Sequence, residues 1–129
     1  MGGAVIEAGA HLGDYSYVGV CSIVRKNASL GYKSSIGNYV YFGPGATLGS
    51  YAAVKGQTII GGNSTISSRA YVGPYTNLGA QSGVGQYADI GSQVIIGFQA
   101  HIGSYADVCD GATVSDYGRV ASRASWGCN

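Results

Sequence analysis

Two histidines, six carboxylates and three cysteines supply all the imidazole, carboxylate and thiol chemistry of this 129-residue chain. An imidazole near neutrality suits a general base or a zinc ligand, and zinc needs three or four such groups converging on one point. Two carboxylates held side by side can share a cation or a proton. Two thiols at short reach can close a disulfide in an oxidising compartment or stay free in a reducing one. His11 and His101, Asp89 and Asp107, and Cys109 and Cys128 are the pairs that matter, with Cys21 left over. The chain can use them only as its backbone brings them together, and the backbone follows a strict repeat.

From Ile6 to Trp126 every sixth residue is large and apolar: Ile6, Leu12, Val18, Val24 and so on without a slip. Two residues before each sits a small one, such as Ala4, Ala10, Ser16 or Ser22, with Val40 and Val94 the only bulkier entries and Gly118 the only emptier one. A period of six fits neither a helix nor a plain alternating strand; it fits a short strand and a corner, repeated. The small and large residues then share one side of the strand, and the residue between them faces outward. The residue after the large one is very often Gly, which is read as supplying unusual backbone angles and close approach at the corner. Pro44 and Pro74 fall one place later, where a fixed φ is tolerated. A second period of 36 relates Gly13–Val18, Gly49–Val54 and Gly85–Ile90.

This pattern resembles the hexapeptide-repeat family, most clearly in Leu48-Gly49-Ser50-Tyr51-Ala52-Ala53 and Ile102-Gly103-Ser104-Tyr105-Ala106-Asp107. The resemblance covers essentially the whole chain. It implies an all-β fold, a left-handed parallel β-helix of triangular section with three hexads per coil; the handedness comes from the resemblance alone. The chain is expected to form one domain, 1–129, of about seven 18-residue coils, with no inserted loop and no capping helix. At about 4.8 Å per coil the prism is roughly 34 Å long.

On such a prism the outward residues fall into columns. One face reads Val5, Ile23, Tyr41, Ile59, Asn77, Ile95, Thr113, an apolar stripe suited to lateral packing, with Val5, Ile23, Tyr41, Ile59, Ile95 and Thr113 as the interface residues. A second reads His11, Ser29, Thr47, Thr65, Gly83, His101, Arg119, and the third sets Asp89 beside Asp107. One corner stacks Tyr15, Lys33, Tyr51, Arg69, Tyr87, Tyr105 and Arg123, an aromatic and cationic ladder that stiffens the corner, docks a subunit or offers a platform for sugars. Cys109 and Cys128 share a corner of stacked coils, where a disulfide is geometrically allowed; free thiols are the alternative.

Net charge is +1 and only 10% of residues are charged. No basic patch for nucleic acid, no membrane-length apolar run and no signal peptide stands out, and no cofactor or metal is expected. Low charge with many Gly, Ser and Tyr residues points to an extracellular or cell-surface, self-associating protein. With no capping helix at either end, the expectation is a structural building block whose partner is itself, stacked end to end into filaments and packed laterally, with carbohydrate as a further candidate partner. Two alternatives stand beside it. The resemblance implies acyl- or acetyltransfer, or carbonic-anhydrase chemistry, at an intersubunit site using His101 with Asp107 or Asp89 of another copy. His11 and His101 lie about 24 Å apart and cannot share a metal within one chain. The other alternative is an ice- or carbohydrate-binding face, for which Thr47 and Thr65 start a ladder that Gly83 and His101 end.

Overall fold

The computed structural model describes residues 3–128. Twenty-one two-residue strands, from Val5–Ile6 to Ser125–Trp126, make up all its regular structure, and no helix occurs among the described residues. They form three parallel seven-stranded sheets, one per face of a triangular prism of seven coils. Every strand pairs with those 18 residues before and after it, so Ile59 lies between Tyr41 and Asn77, and Thr65 between Thr47 and Gly83. The first sheet carries the Val5-to-Thr113 column, the second the His11-to-Arg119 column, and the third the Tyr17-to-Ser125 column. The first corner joins the first sheet to the second, the second corner joins the second to the third, and the third corner leads into the next coil.

The six-residue period produces this geometry directly. Large residues such as Leu48, Val54 and Ile60 are at most 1% exposed, and the small residue two places earlier is buried beside each. The small position accepts a hydroxyl where a carbonyl is in reach: Thr58 Oγ1 donates to Gly73 O and Ser64 Oγ to Gly79 O, each at 2.9 Å. No buried side-chain polar atom among the described residues lacks a partner, which keeps the cost of these buried hydroxyls small. Contacts run between neighbouring coils, so the core is a one-dimensional stack.

The corners are four-residue turns, and here one expectation is refined. The left-handed backbone angle falls two places after the Gly: at Tyr15 (φ 62°), Lys33 (55°) and Asn63 (58°), for example. With the bond from Ser16 N to Gly13 O at 3.2 Å, this is the pattern of a type II turn, which places positive φ at its third residue. Gly43-Pro44-Gly45-Ala46 satisfies that turn fully, with Pro at the second position and Gly45 (φ 69°) at the third. The repeated Gly at the first position serves close approach instead. A Cβ on Gly31 would lie 2.7 Å from the backbone nitrogen of Ser50 in the next coil, so any side chain there would push two coils apart.

Candidate functional site

The second sheet brings one chemistry-bearing side chain to a depression in an otherwise flat wall. Gly83 pairs in register between Thr65 and His101. It is the single Gly among the outward strand residues, and its missing side chain opens a notch. The imidazole of His101 leans over that notch: a Cβ on Gly83 would lie 2.9 Å from His101 Nδ1. Asn63 and Gln81 wall the depression on the first-corner side, Ser67 and Gly85 on the other, and its volume is about 350 Å³. Gln99 Nε2 donates to Gln81 Oε1 at 2.7 Å, which fixes the first-corner amides into a short ladder. The His101 ring makes no hydrogen bond or ion pair with another described residue, so one chain presents an open imidazole with nothing to orient it. An imidazole in that state needs a further group before it works as a base.

His11 lies on the same sheet, five strand pairings from His101. Among the described residues no three His, Cys, Asp or Glu side chains come close enough to hold a metal, so the anhydrase alternative has no zinc site within a chain. Thr47 and Thr65 pair as adjacent rungs, and Gly83 follows at once.

The third sheet places Asp89 directly beside Asp107, and Asp110 closes the same notch from the third corner. Burial raises the Asp89 carboxyl above its ordinary value, and the neighbouring charges of Asp107 and Asp110 add to the rise. Asp110 itself accepts the Ser92 N–H at 2.9 Å. Cys109 and Cys128 are joined by a disulfide at this corner, with Cα atoms 5.3 Å apart, and Cys21 is free and exposed.

The aromatic and cationic residues stack in a single line at the second corner. Arg69 lies 4.4 Å from the Tyr51 ring centre and 5.9 Å from that of Tyr87. Tyr87 and Tyr105 stack with centroids 4.9 Å apart and planes 6° from parallel, and Arg123 sits 4.6 Å from Tyr105. Lys33 lies 5.8 Å from Tyr15 and 5.5 Å from Tyr32. The apolar column of the first sheet runs from Val5 to Ile59 and resumes at Ile95 after Asn77, and Val5, Ile59 and Ile95 are about half exposed. Sequence reasoning missed the notch at Gly83 and its amide wall. The available signal was that lone Gly in a slot otherwise filled by side chains.

No protein-family model and no curated protein matches the sequence. Solved structures do match the fold. The acetyltransferase domain of PglB from Neisseria gonorrhoeae aligns over 87% of this chain and 54% of its own length, at 23% identity and a TM-score of 0.79. A UDP-N-acetylglucosamine acyltransferase from Francisella novicida aligns over 97% of this chain and 61% of its own, at 16% identity and a TM-score of 0.65. A GDP-perosamine N-acetyltransferase from Caulobacter crescentus, a His-to-Ala variant solved with CoA and GDP-perosamine, aligns over 93% and 48%, at 16% identity and a TM-score of 0.64. This chain therefore spans about half the length of these neighbours. By repeat, coil and likeness it has the left-handed parallel β-helix fold of the hexapeptide-repeat proteins. The expectation of a filament-forming building block is corrected by the same comparison. The three solved structures named above, which share this fold at 16–23% identity, are acetyl- and acyltransferases. The low charge that suggested polymerisation is equally compatible with this fold.

Proposed function

We propose that this chain is the β-helical part of an acetyl- or acyltransferase, with His101 as general base and with the site completed by a second copy. The observation that carries this reading is the likeness to the PglB acetyltransferase domain over 87% of the chain. The geometry of the second sheet supports it. His101 is the one imidazole beside a notch, and the notch leaves room for an acceptor group against Nδ1. Removing a proton from an acceptor amine or hydroxyl as it attacks a thioester carbonyl is work for such a base, worth roughly 10²–10⁴-fold in rate. The group that orients His101 then comes from the neighbouring copy, and the carboxylates at Asp89 and Asp107, exposed on the third sheet, are the candidates. The half-exposed apolar column on the first sheet supplies the contact for a closed oligomer.

The test is calorimetric titration with CoA and acetyl-CoA, followed by release of the free CoA thiol in the presence of amino-sugar acceptors. Wild type should bind CoA and release thiol. His101→Ala should abolish release at an unchanged melting temperature, since the ring is exposed and packs against no core residue. A protein that binds neither CoA nor acetyl-CoA at millimolar concentration, and releases no thiol with any acceptor, would overturn the reading.

A further inference from the structure

The three corners repeat one turn but fill its strained position differently. The first corner places Gly9, Asn27, Gly45 and Asn63, residue types that accept the left-handed region readily, at positive φ in its first four coils, and Gln81, Gln99 and Tyr117 in its last three. The second corner places Tyr, Lys or Arg there in all seven coils, each at a φ between 55° and 64°. These long side chains gain nothing from that backbone. Their selection has to be sought in what they present outward.

What they present is a straight row of aromatic faces with cations between them. The planes of Arg69 and Arg123 are covered by Tyr rings, yet their N–H edges are unused. The one ion pair among the described residues is Arg25 with Glu7, on another corner, and neither arginine nor Lys33 donates a side-chain hydrogen bond to a described residue. A guanidinium with its face stacked and its fork free is set to take a carboxylate edge-on, through two parallel hydrogen bonds. Tyr faces beside it suit the C–H face of a sugar ring, since Tyr offers apolar area and a polar tip together.

We propose that the second corner is a binding rail for a linear polysaccharide that carries a uronate on alternate rings. This goes beyond acyl transfer and stands independently of it. Successive coils advance by about 4.8 Å, close to the advance of one ring in an extended glycan, so the polymer and the corner run in step. Lys33 and Arg69 are two coils apart with Tyr51 between them, which matches an acidic ring followed by a neutral one. Nucleic acid fits less well. Asp14 precedes Tyr15, Asp89 and Asp107 follow Tyr87 and Tyr105 by two residues each, and net charge is only +1. A strand with a phosphate on every nucleotide meets too little positive charge here to drive counterion release.

The experiment is affinity electrophoresis through gels containing hyaluronate, backed by calorimetry with hyaluronate oligosaccharides at low salt. Neutral dextran and oligothymidylate serve as comparison ligands. Wild type should be retarded by hyaluronate, not by dextran, and the retardation should fade with added salt. The double variant K33N/R69N replaces the two cations that stand in step with alternate rings by a residue suited to positive φ, so the fold is retained. It should bind about tenfold more weakly, through loss of two charge-assisted contacts. K55Q/R119Q removes the same charge off the rail and should keep wild-type affinity. Three results would each overturn the proposal: no retardation of wild type, equal weakening in the K55Q/R119Q control, or tighter binding of oligothymidylate than of hyaluronate.

Discussion

The first and second corners of the prism have the same turn, the same hydrogen bonds to the coil before and nearly the same φ, yet over the first four coils they are built from opposite residue types. Asn63 N bonds Pro44 O at 2.9 Å in one; Tyr51 N bonds Tyr32 O at 2.9 Å in the other. Asn63 sits where its backbone prefers to be. Tyr87, two coils beyond Tyr51 on the second corner, sits where a bulky residue is held at a cost of about 1–2 kcal/mol. Its stack with Tyr105 and its contact with Arg69 return about 0.5–1.5 and 0.5–1 kcal/mol respectively. The two sides come out nearly level. One corner is therefore shaped by backbone preference and the other by side-chain chemistry, and the core beneath both lets them differ.

That dependence on the core is the largest effect to test. Val54 is 1% exposed, in the stack that both corners wrap. Val54→Asp buries a carboxylate with no partner, and should cost about 3–5 kcal/mol in urea denaturation. Both corners should lose structure in one transition. If only the coils on one side of Val54 melted, the corners would rest on separate supports and the contrast between them would lose its common frame.

Exchanging residues between the corners sharpens the contrast at a smaller scale. Asn63→Tyr puts a ring into the left-handed region with no aromatic column to receive it, so stability should fall by about 1–2 kcal/mol. Tyr87→Asn removes the strain and the stacking together, so the change should stay within about 1 kcal/mol of zero. Urea midpoints of the two variants measure the asymmetry. Equal costs in both directions would mean that backbone strain does not distinguish the corners.

How much of this was legible follows from where the constraint lies. The core column Ile6 to Trp126 fixes strand, corner and coil, because a slip of one residue would turn every large side chain outward. The stacking of Asp89 on Asp107 and of Arg69 between Tyr51 and Tyr87 follows from the coil length. The position of the strained φ did not follow. Gly at the first turn position looked like the conformational specialist, while the structure uses it for contact with the next coil and leaves the strain to Tyr, Asn or Lys two places on. Function was the least legible. A loop-free, low-charge repeat reads as a building block until its fold is set beside transferases, and the notch at His101 depends on Gly83, 18 residues earlier, having no side chain.

The smallest predicted effect compares the two ends of the prism in acid. At one end Glu7 accepts Arg25 Nε at 2.7 Å, and that hydrogen bond with the guanidinium holds its carboxyl below the ordinary value. Its native state releases the proton more readily than the unfolded chain, so its contribution is present at neutral pH and is lost as pH falls through the lowered value. At the other end burial, then Asp107 and Asp110, raise Asp89. Its native state holds the proton more tightly than the unfolded chain, so stability rises as pH falls through the raised value and is complete below the unfolded one. The two slopes oppose each other, and both groups stay in reach of solvent, so each is modest. Asp107→Asn removes one of the repelling charges and should bring Asp89 back toward its ordinary range. The variant should gain slightly in melting temperature at neutral pH and show a smaller acid-side rise, since burial and Asp110 still raise Asp89. Melting curves across the carboxylate range, with carbon NMR of the Asp89 carboxyl, read both quantities. An Asp89 titration unmoved by the substitution would assign its shift to burial alone and leave the stacked pair with no electrical coupling.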